Sequence, residues 1–308
     1  MMNKIVAVQG NHPSKLNPIT DTSVFLANEI QSKKYKIFYY DPKDLSVINS
    51  KVIAKGFFIK FDYRHKKFFK ILKKQKLDLT ECKFILIRQD PPFNLEYISA
   101  TYILDTIKDK VKIINNPTSI RNISEKLYSV KYQKYMPSTI FTQNIDEIKN
   151  FFKIHKKVIL KPIHSFSGND IHLLNKFNLK LVQKFIRQHD HIMCQKYLPK
   201  ISKGDKRVFL INGKVCGAIS RVPKKGSFLS NMSKGAKPIN IKLTKTENKI
   251  SKLVAKDLKK ENIYFAGIDF IDQKLNGDIN VTSPTGLKTL YDLSGVNLAN
   301  TFWRNLET

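Results

Sequence analysis

Short apolar runs alternate with amphipathic stretches through the first third of the chain, which is the signature of strands interleaved with helices. Ile5–Val8 reads as a buried strand. Asp21–Lys33 reads as an amphipathic helix capped near Thr20 and Asp21, and Lys36–Tyr40 as a second strand. Lys51–Phe61 alternates as a hairpin segment, and Phe84–Ile87 is a short buried strand that ends on Arg88-Gln89-Asp90-Pro91-Pro92. Charged residues at the carboxyl end of such a strand stand where open α/β sheets bind ligands. A helix over Leu95–Ile107, a strand at Ile113–Ile114 and a helix near Ser119–Tyr128 follow. A boundary near Ile123 divides the chain into residues 1–123 and 124–308. The second part comprises a small α/β lobe, about 124–199, and a larger antiparallel lobe, about 200–308.

The pattern is most specific over Gly267–Pro284. Ile268, Phe270 and Ile271 read as strand, Asn276-Gly277 as the hairpin turn, and Asp278–Val281 as the returning strand. Asp278 and Asn280 are two apart, so their side chains leave the same face of a strand, and Asp269 on the partner strand can reach that face. Two carboxylates and a carboxamide, with no His or Cys among them, form a hard-oxygen set suited to Mg²⁺, with Mn²⁺ as the alternative. The competing reading is a polar hairpin whose acids face water.

Composition narrows the class. The 308 residues are 42% hydrophobic, enough for two or three subdomains around sizeable cores. No apolar run approaches a membrane span, and the opening Met1–Gly10 is too short in apolar residues for a signal peptide. Cys82, Cys194 and Cys216 are odd in number and unpaired in spacing, which suggests neither disulfides nor zinc and fits a reducing cytoplasm. The formal charge of +30 raises the question of nucleic acid, but the basic residues are 48 Lys and only seven Arg, spread along the chain. Base readout and bidentate phosphate contacts favour Arg, so a solvated basic surface is the better reading.

Several blocks, taken together and in order, resemble prokaryotic glutathione synthetase of the ATP-grasp superfamily. They are Arg88–Phe93, Ala100–Leu104, Glu125-Lys126-Leu127, Ile159–Pro162, Gln195–Pro199, Gly204–Arg207 and Asp269 with Asp278, Asn280 and Val281–Gly286. The resemblance implies an α/β (α+β) ATP-grasp fold behind an N-terminal α/β substrate domain. It implies ligation of γ-glutamylcysteine to glycine with ATP through an acyl phosphate, and a homo-oligomer, possibly a tetramer. Lys126 and Lys161 are then phosphate contacts, Gln195, Tyr197 and Leu198 the adenine hinge, and Asp205 a ribose contact. Arg207, Arg221 and Asn231 fall at active-site positions, and Asp269, Asp278 and Asn280 at the metal.

The sequence also departs from that family at the site. The phosphate-covering loop, glycine-rich in the family, reads His164-Ser165-Phe166-Ser167-Gly168. Ser165, Ser167 and Gly168 remain its candidate phosphate contacts, since serines are small and donate hydrogen bonds. Leu229 stands for a loop Arg, Asp278 for a Glu, and Lys288-Thr289 for Arg-Glu. The departures leave three readings open: glutathione synthesis, a ligase for another acid or amine, and a nucleotide-binding homologue with little turnover.

Overall fold

A computed structural model describes residues 4–165 and 168–307 and is built on three sheets. The first runs in the order Leu45–Ile48, Lys51–Phe61, Lys36–Tyr40, Ile5–Gln9, Phe84–Ile87, Lys112–Ile114, with Phe69–Asp78 on the outer side of Lys51–Phe61. Its four central and far strands pair in parallel, Val6 against Ile37 on one side and Phe84 on the other. Strand alternation sorts this sheet's residues into two cores. Val6 and Val8 pack with Val24, Leu26 and Trp303, whereas Ala7, Ile85 and Ile87 pack with Tyr97 and Leu104. Asp21 caps the helix Thr22–Ser32 by accepting from the Val24 amide at 3.0 Å. The last helix, Leu298–Glu307, returns to this sheet, and Trp303 Nε1 donates to Leu26 O at 2.8 Å.

The second sheet, His172–Leu174, Val158–Pro162, Ile192–Lys196 and Thr139–Thr142, is antiparallel and covered by helices Ile145–His155 and Leu179–His189. The third, also antiparallel, runs Lys237–Asn240, Lys214–Val222, Asp205–Ile211, Phe265–Ile271, Lys274–Asn280. The helix Lys245–Lys260 packs on it behind a capping box formed by Thr244 and Glu247. Asn115 joins the first and third sheets. Its Nδ2 donates to Phe265 O and Val281 O at 2.7 and 2.6 Å, and its Oδ1 accepts from the Tyr264 and Phe265 amides.

Two expectations need correction. The hairpin turn lies at Asp272-Gln273, both at positive φ (48° and 61°), not at Asn276-Gly277. Gly277, at φ +82°, instead sits within the returning strand, near a shift of register opposite Ile268–Phe270. A Cβ there would press on Met193 Cε and Met136 Cε at 2.4 and 2.9 Å, so the glycine serves packing between lobes. The helix expected near Ser119–Tyr128 is two pieces, Pro117–Asn122 and a 3₁₀ segment Leu127–Tyr135. Ile123 between them is extended, which delivers Glu125 and Lys126 to the cleft. Phe69–Asp78, a lysine-rich segment with no element assigned from the sequence, is a ten-residue strand.

Candidate active site

One cleft between the second and third sheets collects the candidate residues from both lobes. From the strand Val158–Pro162, Lys161 Nζ reaches Asp278 Oδ2 at 3.3 Å and donates to Asn276 O and Oδ1 at 3.0 and 3.1 Å. Lys126 Nζ stands 3.7 Å from Asp278 Oδ1 and donates to Ser165 O at 2.9 Å, tying the loop after Pro162 to the cleft floor. Both ammonium groups are buried, while the Asp278 side chain keeps 30% of its surface open to the cleft. Burial would raise the Asp278 pKa, but Lys161 and Lys126 outweigh it and hold the carboxyl below its ordinary range.

Beside this group lies a second, electroneutral cluster. Arg207 clasps Asp269 through Nε and a terminal nitrogen at 2.5 and 2.8 Å. Arg221 clasps Asp205 in the same way at 2.8 and 2.5 Å and also approaches Asp269 at 3.0 Å. The cross-strand register explains the pairs, since Arg207 is opposite Asp269 and Asp205 opposite Arg221. Burial pushes Asp269 up, yet the two guanidinium groups pull it down to about 2. Asp205, with Arg221 but also the charge of Asp269 nearby, is raised, chiefly by burial. Asp205 thus has both oxygens committed to Arg221, and Arg207 and Arg221 are neutralised rather than bare.

Asp269, Asp278 and Asn280 all line the cleft. Asn280 Oδ1 is buried and accepts no hydrogen bond. An orphaned carbonyl oxygen in the same cleft as the ionised Asp278 is what a hard cation would satisfy, so Asp278 and Asn280 fit a divalent metal, whereas Asp269 would have to share oxygens that Arg207 and Arg221 already hold. Among the described residues no group of three His, Cys, Asp or Glu has metal-ligand geometry.

Two loops cover the opening. Gly168, at φ +72°, packs so closely on Asn231 that an added Cβ would stand 2.4 Å from Asn231 Oδ1, with Leu229 Cδ2 at 3.7 Å. Lys234 Nζ donates to Asn169 Oδ1 at 2.9 Å and bridges the same two loops. Ser165 lines the cleft; Ser167 lies outside the described residues. His164 opens on a small adjoining cavity with Phe93 and Glu125, where burial and the charge of Lys126 lower its pKa. Lys288 and Thr289 are off the cleft wall. Lys288 pairs with Asp292 at 2.5 Å and lies 5.0 Å from the Tyr63 ring, and Thr289 Oγ1 faces Met232 Sδ.

Gln195, Tyr197 and Leu198 form one side of the cleft with Ile159, Ile201 and Ile271. Gln195 Nε2 is turned to Thr139 Oγ1 at 3.0 Å, and the Tyr197 amide is taken by Lys157 O. Sequence reasoning gave no role to Glu125. Its Oε1 accepts from the Val281 and Thr282 amides and from Thr282 Oγ1, fixing the segment that follows Asn280. Burial raises the Glu125 pKa while Thr282 and Lys126 pull it down. Its position directly before Lys126 was the one available signal. The cleft encloses about 130 Å³, below the roughly 300–1,000 Å³ usual for small-molecule sites.

Known proteins resemble the chain over nearly its whole length. Residues 5–121 match the family pattern described as "Prokaryotic glutathione synthetase, N-terminal domain", and residues 125–295 match "Prokaryotic glutathione synthetase, ATP-grasp domain". The chain is 35% identical to the glutathione synthetase of Brucella melitensis, with 98% of each covered. It is 32% identical to that of Agrobacterium fabrum, covering 99% of this chain and 96% of the relative. Among solved structures, the ATP-grasp ligase PsnB superposes with a TM-score of 0.67 at 13% identity, covering 100% of this chain and 99% of PsnB. D-alanyl-alanine synthetase A from Vibrio cholerae superposes with a TM-score of 0.64 at 14% identity, covering 100% and 98%. These two likenesses concern the fold. No helix among the described residues is long and apolar enough to cross a membrane. With both family patterns spanning nearly its whole length, the chain belongs to the prokaryotic glutathione synthetase family of ATP-dependent carboxylate–amine ligases.

Proposed function

We propose that the chain joins γ-glutamylcysteine to glycine, releasing ADP and phosphate. The observation that carries this reading is the convergence of Lys126 and Lys161 on Asp278 beside the unpartnered Asn280 oxygen. In the first step the cysteinyl carboxylate of γ-glutamylcysteine attacks the γ-phosphorus of ATP and ADP leaves. In the second the amine attacks the acyl carbon and phosphate leaves. Lys126 and Lys161 neutralise the triphosphate, and the apolar wall of Leu198, Ile159 and Ile271 takes the adenine, with the Gln195–Leu198 backbone at its edge. Asp205 serves the ribose side of the nucleotide and also holds Arg221 in place. Asp269, Asp278 and Asn280 would hold Mg²⁺, or Mn²⁺, which would supply neutralisation of the nucleotide's negative charge. Arg207 and Arg221, aimed by their carboxylate partners, stabilise charge on the transferring phosphoryl group. Asn231, held against Gly168, closes the site with Ser165 and Ser167 and excludes water from the acyl phosphate. The N-terminal domain, residues 1–123, contributes to the substrate side. The enzyme acts in the cytoplasm on small molecules, with no specific nucleic acid, as a homo-oligomer, possibly a tetramer.

A second reading rests on one specific position. Leu229 lies within the cleft wall against Gly168, where the family resemblance calls for Arg, and an apolar group there suits a different acid or amine. Phosphate release with ATP and Mg²⁺ across a panel of dipeptides and amines separates the two. The first reading expects γ-glutamylcysteine with glycine to give the highest kcat/KM; a clear preference for another pair overturns it.

A further inference from the structure

Away from the cleft, the first sheet carries a cavity of about 650 Å³ with none of the cleft residues in its walls. Its floor is aromatic. Tyr39 and Phe57 are register partners on adjacent strands and stack with ring centroids 6.0 Å apart and planes 13° apart. His12 stands edge-on to Phe57 at 5.9 Å. Its rim is basic, and the register explains why. On the face that carries Phe57, Lys55 lies directly opposite Lys76, and Phe57 directly opposite Lys74. Lys55, Lys74 and Lys76 are exposed and, among the described residues, have no carboxylate within 4 Å.

Like charges placed directly across a strand pair destabilise it. Lys55 and Lys76 therefore carry a cost that the sheet's own contacts do not offset. Lysine on an edge strand is a common defence against edge-to-edge pairing, but that purpose needs neither the stacked floor nor the concave volume. Of the remaining charges on the wall, Asp41 caps the turn at Lys43 and Lys43 leans toward Glu96 at 3.8 Å, leaving Asp44 against three lysines. The volume lies within the range of small-molecule sites, which are mostly apolar with a few charged groups at one side.

We propose that this cavity binds a small planar aromatic anion, its ring laid on Phe57, which the buried Tyr39 backs, and its negative group received by Lys55, Lys74 and Lys76. The site is separate from the ligase cleft and does not rest on the reading of that cleft.

The test uses 8-anilinonaphthalene-1-sulfonate as probe, with the intact protein held in saturating ADP and Mg²⁺ to occupy the cleft. Wild-type protein is expected to bind one equivalent saturably, with affinity falling as salt rises. Lys55→Glu with Lys76→Glu should weaken binding at least tenfold, and Phe57→Ala several-fold. Lys184→Glu, an equal charge change on the far helix Leu179–His189, should leave binding unchanged. Thermal melting of each variant reports whether the sheet is intact. A charge-reversed variant that melts as wild type and still binds the probe equally well overturns the proposal. So does the absence of saturable binding in the wild type, or an equal loss in Lys184→Glu.

Discussion

Gly168 and Asn231 meet across the mouth of the cleft, so closely that a Cβ at position 168 would displace the Asn231 carboxamide. The contact joins the loop that follows Pro162 to the loop that follows Val222, and the Lys234–Asn169 hydrogen bond supports it. Gly168→Ala adds a methyl group 2.4 Å from Asn231 Oδ1 at a backbone φ of +72°, which by itself costs about 1 kcal/mol. The expected outcome is a fall in kcat/KM of about tenfold or more with little change in melting temperature, because the clash falls on loop closure. Unchanged steady-state phosphate release would remove this contact from the closure mechanism.

Lys161 is the ammonium group that reaches furthest into the set around Asp278. ATP with Mg²⁺ should raise the melting temperature of the wild type by mass action, and Lys161→Ala should abolish most of that rise. A rise as large in the variant as in the wild type places the triphosphate elsewhere.

Asp278 is held ionised by two lysines and faces the open cleft. Asp278→Asn is expected to lower kcat by about 10²-fold while ADP affinity changes only a few-fold. Asp278→Glu should be tolerated, since the Asp278 side chain keeps part of its surface open to the cleft. Equal loss in both variants, measured by phosphate release and nucleotide titration, would show a site shaped around the shorter acid.

Asp269 is buried between Arg207 and Arg221, so its removal leaves two guanidinium groups without their shared partner. Asp269→Asn should destabilise the protein by about 3–5 kcal/mol at pH 7. The sign of the pH dependence follows from the folded pKa of about 2. The unfolded carboxyl, near its ordinary value of about 3.9, binds a proton first. The stabilisation is therefore fully present above about pH 4 and is lost as pH falls towards 2. Urea unfolding of wild type and variant should show the gap between them narrowing over that window; a constant gap argues against an ionised Asp269.

Ser165→Gly with Leu229→Arg tests whether the altered loop merely weakens glutathione synthesis. If so, turnover on γ-glutamylcysteine and glycine should rise several-fold, because a guanidinium in a desolvated site stabilises phosphoryl charge. If the site serves other substrates, turnover on that pair should stay low and the preferred reaction should fall.

The residues themselves determined much of this protein. Strand alternation placed Asp278 and Asn280 on one face, Asp21 announced its helix by capping it, and the ordered motifs from Arg88 to Gly286 carried the family and its ATP-grasp fold. These are local or near-local properties, set by side-chain period and backbone preference. Tertiary structure decided the rest. Asn276-Gly277 has the composition of a turn, but packing of Gly277 against Met136 and Met193 draws it into the strand and moves the turn to Asp272-Gln273. Arg207 and Arg221 look alike in sequence, and only the pairing of Asp205–Ile211 with two neighbouring strands gives each a carboxylate partner. Phe69–Asp78 reads as a run of lysines until Lys51–Phe61 supplies its hydrogen bonds and sets Lys76 opposite Lys55. Register and cross-lobe packing join residues far apart in the chain, and no local preference encodes which partner will be met.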